Sequence, residues 1–118
     1  MKLPGPDHPI TITPAGKHVR VTADDLLIAD SRQALSLQEA DYPAVLYIPR
    51  ADAEMALLSR TDRVTYCPYK GDAHYYSIKA GDRVLDNAVW SYETPYPAMA
   101  AIKDYVAFYP GRVKIEQD

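Results

Sequence analysis

The feature that most constrains this chain is its punctuation. Apolar residues come in short stretches that alternate with polar ones, and turn-forming residues end each stretch within strand length. ITIT (Ile10–Thr13) stops at Pro14-Ala15-Gly16, and HVRVT (His18–Thr22) sets Val19 and Val21 on one face with Arg20 on the other. LLIAD (Leu26–Asp30) and ALSL (Ala34–Leu37) flank a turn at Ser31-Arg32, while AVLYI (Ala44–Ile48) is nearly all apolar and suits a strand buried on both faces. VTYC (Val64–Cys67), AHYYSIK (Ala73–Lys79) and RVLDNAVWSY (Arg83–Tyr92) are joined by turns at Lys70-Gly71-Asp72 and Ala80-Gly81-Asp82, the pattern of two consecutive hairpins. RVKIE (Arg112–Glu116) alternates as a last strand.

Two stretches read as helices. After Pro49, ADAEMALLSR carries early acids, Asp52 and Glu54, and spaces Met55 and Leu58 three apart. TPYPAMAAIKDYVAFY is the clearer one: Thr94 suits an N-cap, Pro95 the first helical position, and Ala98, Ile102, Tyr105 and Tyr109 make a stripe that ends at Pro110-Gly111. The expected fold is α+β and mainly β: short antiparallel sheets with one short helix and one helix in the C-terminal region. The 118 residues fit one domain, with residues 1–9 as an irregular arm rich in proline.

Composition removes several classes of function. A net charge of −3 lacks the basic footprint of a nucleic-acid binder. No apolar stretch approaches membrane-spanning length, and the opening MKLPGPDHPITIT has no apolar core of a secretory leader. The single cysteine cannot form an intrachain disulfide, so a reducing cytoplasm is the expected location. Metal binding is not expected, since the three histidines are isolated and no HExxH or CxxC spacing occurs. P-loop, dinucleotide and nucleophile-elbow motifs do not occur either, and no cofactor is indicated.

Tyrosine is the unusual residue, at ten against one Phe and one Trp. A buried Tyr hydroxyl needs a partner, so a Tyr-rich interior suggests a polar aromatic pocket or interface, although tyrosine also serves half-buried strands well. The segment TYCPYKGDAHYYSI (Thr65–Ile78) gathers most of the reactive types. Cys67 is a candidate nucleophile if Lys70, three residues on, lowers its pKa and His74 acts as base; a small packed side chain is the competing role. Alternation puts Tyr75 and Ser77 on one face of their strand and His74, Tyr76 and Ile78 on the other; the register that decides which set meets Cys67 is not readable. Arg50, where strand, proline and helix meet, suits a bidentate grip on an anion or an ion pair with Asp52 or Glu54. Trp90 and Tyr92 suit a core or a pocket wall.

YIPRAD (Tyr47–Asp52), TYCPYKGDAHYYSI, NAVWSYETP (Asn87–Pro95) and AAIKDYVAFYPGRV (Ala100–Val113) resemble the ordered blocks of the Domain of Unknown Function 427 family. The likeness runs from about Val19 to Ile115. It implies a β-rich, tent-like fold comparable with small zinc-binding β domains, but without their paired Cys-x-x-Cys no zinc carries over. The family also bears a nucleotidyltransferase-type label, which implies chemistry on a nucleoside triphosphate; no carboxylate pair with a Gly-Ser motif supports it here. The positions carried over are Arg50, Cys67, Tyr69, Lys70, Tyr75, Tyr76, Trp90 and Tyr92. His74 departs from the pattern, which weakens it as a base. Together these readings predict a pocket where the hairpins meet the YIPR strand, taking a small anionic ligand such as a nucleotide or carboxylate. Cys67 and Lys70 are its candidate catalytic residues, and Arg50, Tyr69, Tyr75, Tyr76, Trp90 and Tyr92 its candidate binding residues. The rival is a non-catalytic interaction module or homodimer, since tyrosines are enriched at interfaces.

Overall fold

The computed structural model describes residues 1–118. Ten strands follow in order: β1 (Ile10–Pro14), β2 (Val19–Ala23), β3 (Leu26–Ser31), β4 (Leu35–Glu39), β5 (Val45–Tyr47), β6 (Leu58–Cys67), β7 (Gly71–Ala80), β8 (Arg83–Ser91), β9 (Val106–Phe108) and β10 (Lys114–Gln117). They form three antiparallel sheets, in the orders β1–β4–β5, β10–β2–β3 and β6–β7–β8–β9. The mainly β expectation holds, and β6–β7–β8 is the double hairpin read from the sequence. No helix is long and apolar enough to cross a membrane.

The helical segments differ from expectation. After Pro49 there are two 3-10 turns, Arg50–Asp52 and Met55–Leu57, and Leu58, Ser59 and Arg60 already belong to β6. This segment is held along β3 by main-chain contacts: Glu54 N donates to Ile28 O at 2.8 Å, and Ala53 bridges Ala29. The long helix expected from Thr94 to Tyr109 is one 3-10 segment, Pro97–Ile102, kinked at Met99 and capped by Tyr96 instead of Thr94. Asp104, at φ +65°, turns the chain away from helix. Val106–Phe108 then pairs with Val89–Ser91 of β8, and Val106 also exchanges hydrogen bonds with Ile48 at 2.8 Å each way. The apolar spacing of Ala98, Ile102, Tyr105 and Tyr109 was therefore not a helical stripe. Sheet pairing at β9 outweighs a weak helical propensity already interrupted by prolines.

β7 lies between two cores. Tyr76, Ile78 and Ala80 face one, built with Val19, Val21 and Ile28 of the β2–β3 sheet and Val89 and Phe108. Ala73 and Tyr75 face the other, with Leu37, Tyr47, Tyr92 and Ile102. Burial of each fully enclosed Ile or Val contributes roughly 1.5–3 kcal/mol, so both faces of the hairpin sheet are firmly held.

The central strand is also bent on both sides. Arg60 pairs with Tyr76 and Val64 with His74, so Thr61, Asp62 and Arg63 stand opposite the single Tyr75. Across β7, Tyr76 pairs with Val89 and Ile78 with Leu85, so Asp86, Asn87 and Ala88 stand opposite the single Ser77. These bulges are stitched over β7: Thr61 donates to Asn87 Oδ1 at 2.6 Å, and Asn87 N donates to Ser77 Oγ at 3.1 Å. Asn87 takes φ +51°, a left-handed conformation that Asn tolerates better than most residues.

Candidate functional site

The register that sequence could not supply is now fixed. Cys67 pairs with Gly71 and Thr65 with Ala73, so Cys67, Thr65, Ala73 and Tyr75 share one face of the sheet. His74 and Tyr76 lie on the opposite face, beside Ser91 and Val89. A Cys67–His74 dyad is therefore not formed. His74 instead holds Arg60, with 2.7 Å between His74 Nδ1 and Arg60 Nη2.

On the Cys67 face opens a cleft of about 300 Å³, walled by Tyr47, Tyr75, Trp90, Tyr92 and Tyr109, with Tyr42 and Pro43 at its rim. Local pairing explains the convergence. Tyr75 and Trp90 are cross-strand partners on β7 and β8, Tyr47 ends β5, and Tyr109 follows β9. Trp90 packs against Tyr109 at 4.6 Å between ring centroids, meets Tyr47 edge-on at 6.4 Å and donates its Nε1–H to the Tyr47 hydroxyl at 3.3 Å. The Tyr75 and Tyr109 rings are nearly parallel, with their hydroxyls 3.3 Å apart, and Thr65 Oγ1 lies 3.0 Å from the Tyr75 hydroxyl.

Environment separates the acidities of these phenols. Burial pushes Tyr47 and Tyr92 well above the ordinary tyrosine value. Tyr109 is pushed up to about 12 by burial and by its bond to Tyr75. Tyr75 goes the other way: burial opposes ionisation, but hydrogen bonds from Thr65 and Tyr109 and the Arg63 charge outweigh it and lower the pKa. Arg63 lies over the Tyr75 ring, its guanidinium carbon 4.8 Å from the centroid.

The polar end of the cleft is an ion pair between buried Lys70 and half-buried Glu39. Lys70 is only 6% exposed, so its charge depends on the partners it finds. Its Nζ lies 2.5 Å from Glu39 Oε1, 3.6 Å from Cys67 Sγ and 5.8 Å from the centre of the Tyr92 ring. The turn makes this possible: Gly71 adopts φ +105°, open to glycine but not to a residue with a Cβ, and Tyr96 N donates to Lys70 O at 3.0 Å. Burial pushes the Glu39 carboxyl up, but hydrogen bonds to Lys70 and His8 bring it below the ordinary value. His8 Nε2 sits 2.8 Å from Glu39 Oε2, and the His8 ring stacks on Tyr69 at 4.2 Å. The N-terminal arm thus closes this end, with Lys2 N donating to Pro68 O at 2.8 Å.

Of the residues expected at one pocket, Lys70, Tyr75, Trp90 and Tyr92 line the cleft, and half-buried Cys67 stands behind Lys70. Tyr69 is spent on the His8 stack. Arg50 and Tyr76 lie on the other face. There Glu93 accepts from Arg50 at 2.9 Å, from Arg60 at 2.8 Å and from the Tyr76 hydroxyl. Arg50 also donates to Asp104 O at 2.6 Å and to Ser91 Oγ at 3.1 Å. Its ion-pair partners are Glu93 and, at 4.0 Å, Asp104, where the sequence left open an anion grip or a pair with Asp52 or Glu54; Asp52 accepts from Ser31 at 2.6 Å. Burial raises the Glu93 carboxyl, but its bonds to Tyr76 and Arg50 and the two guanidinium charges hold it below the ordinary value.

Four contributors escaped the sequence reading. Tyr47 sits in AVLYI, where alternation alone could have flagged it. Tyr109 was absorbed into the expected helix, Arg63 lies in a bulge, and Glu39 is brought in from β4, 31 residues from Lys70.

A family model described as a domain of unknown function, DUF427, matches residues 11–118. A comparison with curated proteins finds no match.

Proposed function

The chain belongs to the DUF427 family, and from its cleft we propose that this member binds a small molecule by a planar ring that carries an anionic group, as a nucleotide or an aromatic carboxylate does. The observation behind this reading is the aromatic wall of five rings closed at one end by a single donor–acceptor pair, Lys70 and Glu39. Ligand pockets are commonly built in this way, with apolar walls and a few directed polar groups. A volume of about 300 Å³ admits one ring system and little more. Lys70 offers N–H donors and Glu39 an acceptor side by side, which matches an amide-like edge such as that of a nucleobase. Since Glu39 balances the Lys70 charge, this end reads an edge and does not draw in an anion.

The reading is of binding. Nucleotidyl transfer asks for a nucleophile or metal-holding carboxylates beside the reacting phosphate. Glu39 is the one carboxylate lining the cleft, with no second one beside it to share a metal.

Trp90 is the single tryptophan, so its emission reports on the cleft directly. Nucleobases, nucleosides, nucleotides and aromatic carboxylates should be screened by Trp90 fluorescence together with thermal shift. A binder should change both signals, and Tyr109→Ala, at a residue 37% exposed and so tolerant of truncation, should weaken it about tenfold through loss of stacking. The proposal fails if no ring compound at millimolar concentration moves either signal, or if the Tyr109→Ala protein binds as tightly as wild type.

The interaction reading draws on β6, which is an outer strand of its sheet and exposes Val64 and Tyr66. Its bulge at Thr61–Arg63 and its charged residues blunt the edge and divide it into two short regular stretches, Leu58–Arg60 and Val64–Cys67. Light scattering over a concentration series should show a monomer; a concentration-dependent dimer lost in Tyr66→Lys would favour the interface.

A further inference from the structure

We infer that the open end of the cleft, between Arg63 and Arg112, is an oxyanion subsite that holds the phosphate or carboxylate of the ligand whose ring the aromatic wall takes. This rests on the reading of the cleft above and adds where the anionic group goes.

Tyr75 and Tyr109 are walls shared by two spaces. On one side is the aromatic cleft; on the other is an open hollow of about 490 Å³ edged by Arg63, Asn87 and Arg112. A ligand with its ring against Trp90 therefore extends its substituent past the two tyrosine hydroxyls and toward the arginines.

Three of the seven arginines, Arg32, Arg63 and Arg112, form no ion pair, and Arg32 lies apart from this hollow, beside Lys17 and His18. Arg20, Arg50, Arg60 and Arg83 each pair with a carboxylate. Arg63 has no carboxylate partner; its guanidinium is held over the Tyr75 ring. Arg112 donates to a main-chain oxygen, Asp86 O, at 3.0 Å, and also forms no ion pair. Each is oriented by a contact that leaves its charge unbalanced and its remaining N–H groups free. An arginine fork is well matched to phosphate and carboxylate oxygens. Asp86 is the one acidic side chain on the wall, so the hollow keeps an excess of one positive charge.

The backbone is shaped for this arrangement. The bulges in β6 and β8 lie opposite Tyr75 and Ser77, neighbours on one face of β7, and are tied together by the Thr61–Asn87 bond. Bulges re-aim side chains, and here they bring Arg63 and Asn87 to the rim beside Tyr75. Asn87 Oδ1 is used by Thr61, which leaves the amide N–H groups available as further donors.

The test uses inorganic phosphate and the full chain, followed by NMR through the Nε–Hε resonances of the arginine side chains. The Arg63 and Arg112 signals should move saturably, while those of ion-paired Arg20 and Arg83 stay in place. Arg63→Gln should weaken the Arg112 response at least tenfold, and Arg112→Gln should do the same to Arg63. Both residues are exposed, so the variants should melt like wild type. Equal movement of all exposed arginines, or an Arg112 response unchanged by Arg63→Gln, overturns the inference. Replacing phosphate by acetate identifies the group served: a stronger response to phosphate points to phosphoryl ligands, a stronger response to acetate to carboxylates. Because neither probe has a ring, the outcome is separable from the cleft reading. Saturable phosphate binding without any ring binder sinks the cleft and keeps the subsite; adenosine binding as tightly as its 5′-monophosphate, with phosphate inert, does the reverse.

Discussion

Lys70 shows how much one residue depends on where its partners come from. Taking an ammonium group out of water is costly unless a counter-charge follows it, and Glu39 supplies that charge from another sheet. Lys70→Met should therefore destabilise the protein by about 1–2 kcal/mol at neutral pH, because half-buried Glu39 keeps His8 but loses its cation. The sign with pH is distinctive. In the wild type the Glu39 carboxyl is held below its ordinary value, so the pair stabilises above that value, and the contribution is lost as pH falls through the lowered one. Glu93 behaves alike. In the Met variant the burial that raises Glu39 is opposed by His8 alone, so Glu39 should titrate higher than in the wild type and acid relieves the defect there. Urea unfolding at pH 7 and pH 4 should show the gap between wild type and variant narrowing on acidification; a gap of constant size would mean that Glu39 is not the source.

At the scale of elements, the hairpin sheet is decided by its two bulges. An added residue on one strand bends it and turns side chains toward a chosen place. Asn87 occupies the strained point of the β8 bulge at φ +51°. Asn87→Val should cost about 1–2 kcal/mol, the order expected for forcing a branched residue into the left-handed region, with a further loss from the Thr61 bond. Asn87→Gly should recover the backbone part alone. Equilibrium unfolding of the two variants separates these contributions, and equal losses would argue against backbone strain. The alternation of AHYYSIK told which residues share a face, and both sets were correctly divided. The bulges left no comparable mark, because ADAEMALLSRTDRV and VLDNAVW carry no glycine or proline at the added residues. Arg63 and Asn87 were accordingly not recognised as members of the site.

On the scale of the whole molecule, the irregular first nine residues have a structural task. They tie Lys2 to the Pro68 turn, stack His8 on Tyr69 and place His8 against Glu39. Removing residues 1–9 should lower the melting temperature, at roughly 4–8 °C per kcal/mol lost, while the far-ultraviolet circular dichroism keeps its β signature. Ring binding in the cleft should weaken with it, since Lys70 and Glu39 lose their cover. An unchanged melting temperature would reduce the arm to a passive tail. The whole-molecule view also divides the expected pocket in two. Arg50 and Tyr76 serve a polar cluster around Glu93 on one face of the hairpin sheet, while Lys70, Tyr75, Trp90 and Tyr92 serve the cleft on the other.

The sequence by itself determined the mainly β class, nearly all the strands, the double hairpin and the alternation of faces along β7. These follow from local rules, since the reach of a turn and the two-residue period of a strand are properties of neighbouring residues. Tertiary structure decided that Val106–Phe108 would be a strand, that Lys70 would find Glu39, and that Arg63 and Arg112 would flank one hollow. Each depends on pairing between residues distant along the chain. The free energy of such pairing exceeds the few tenths of a kcal/mol per residue by which local preference separates helix from strand.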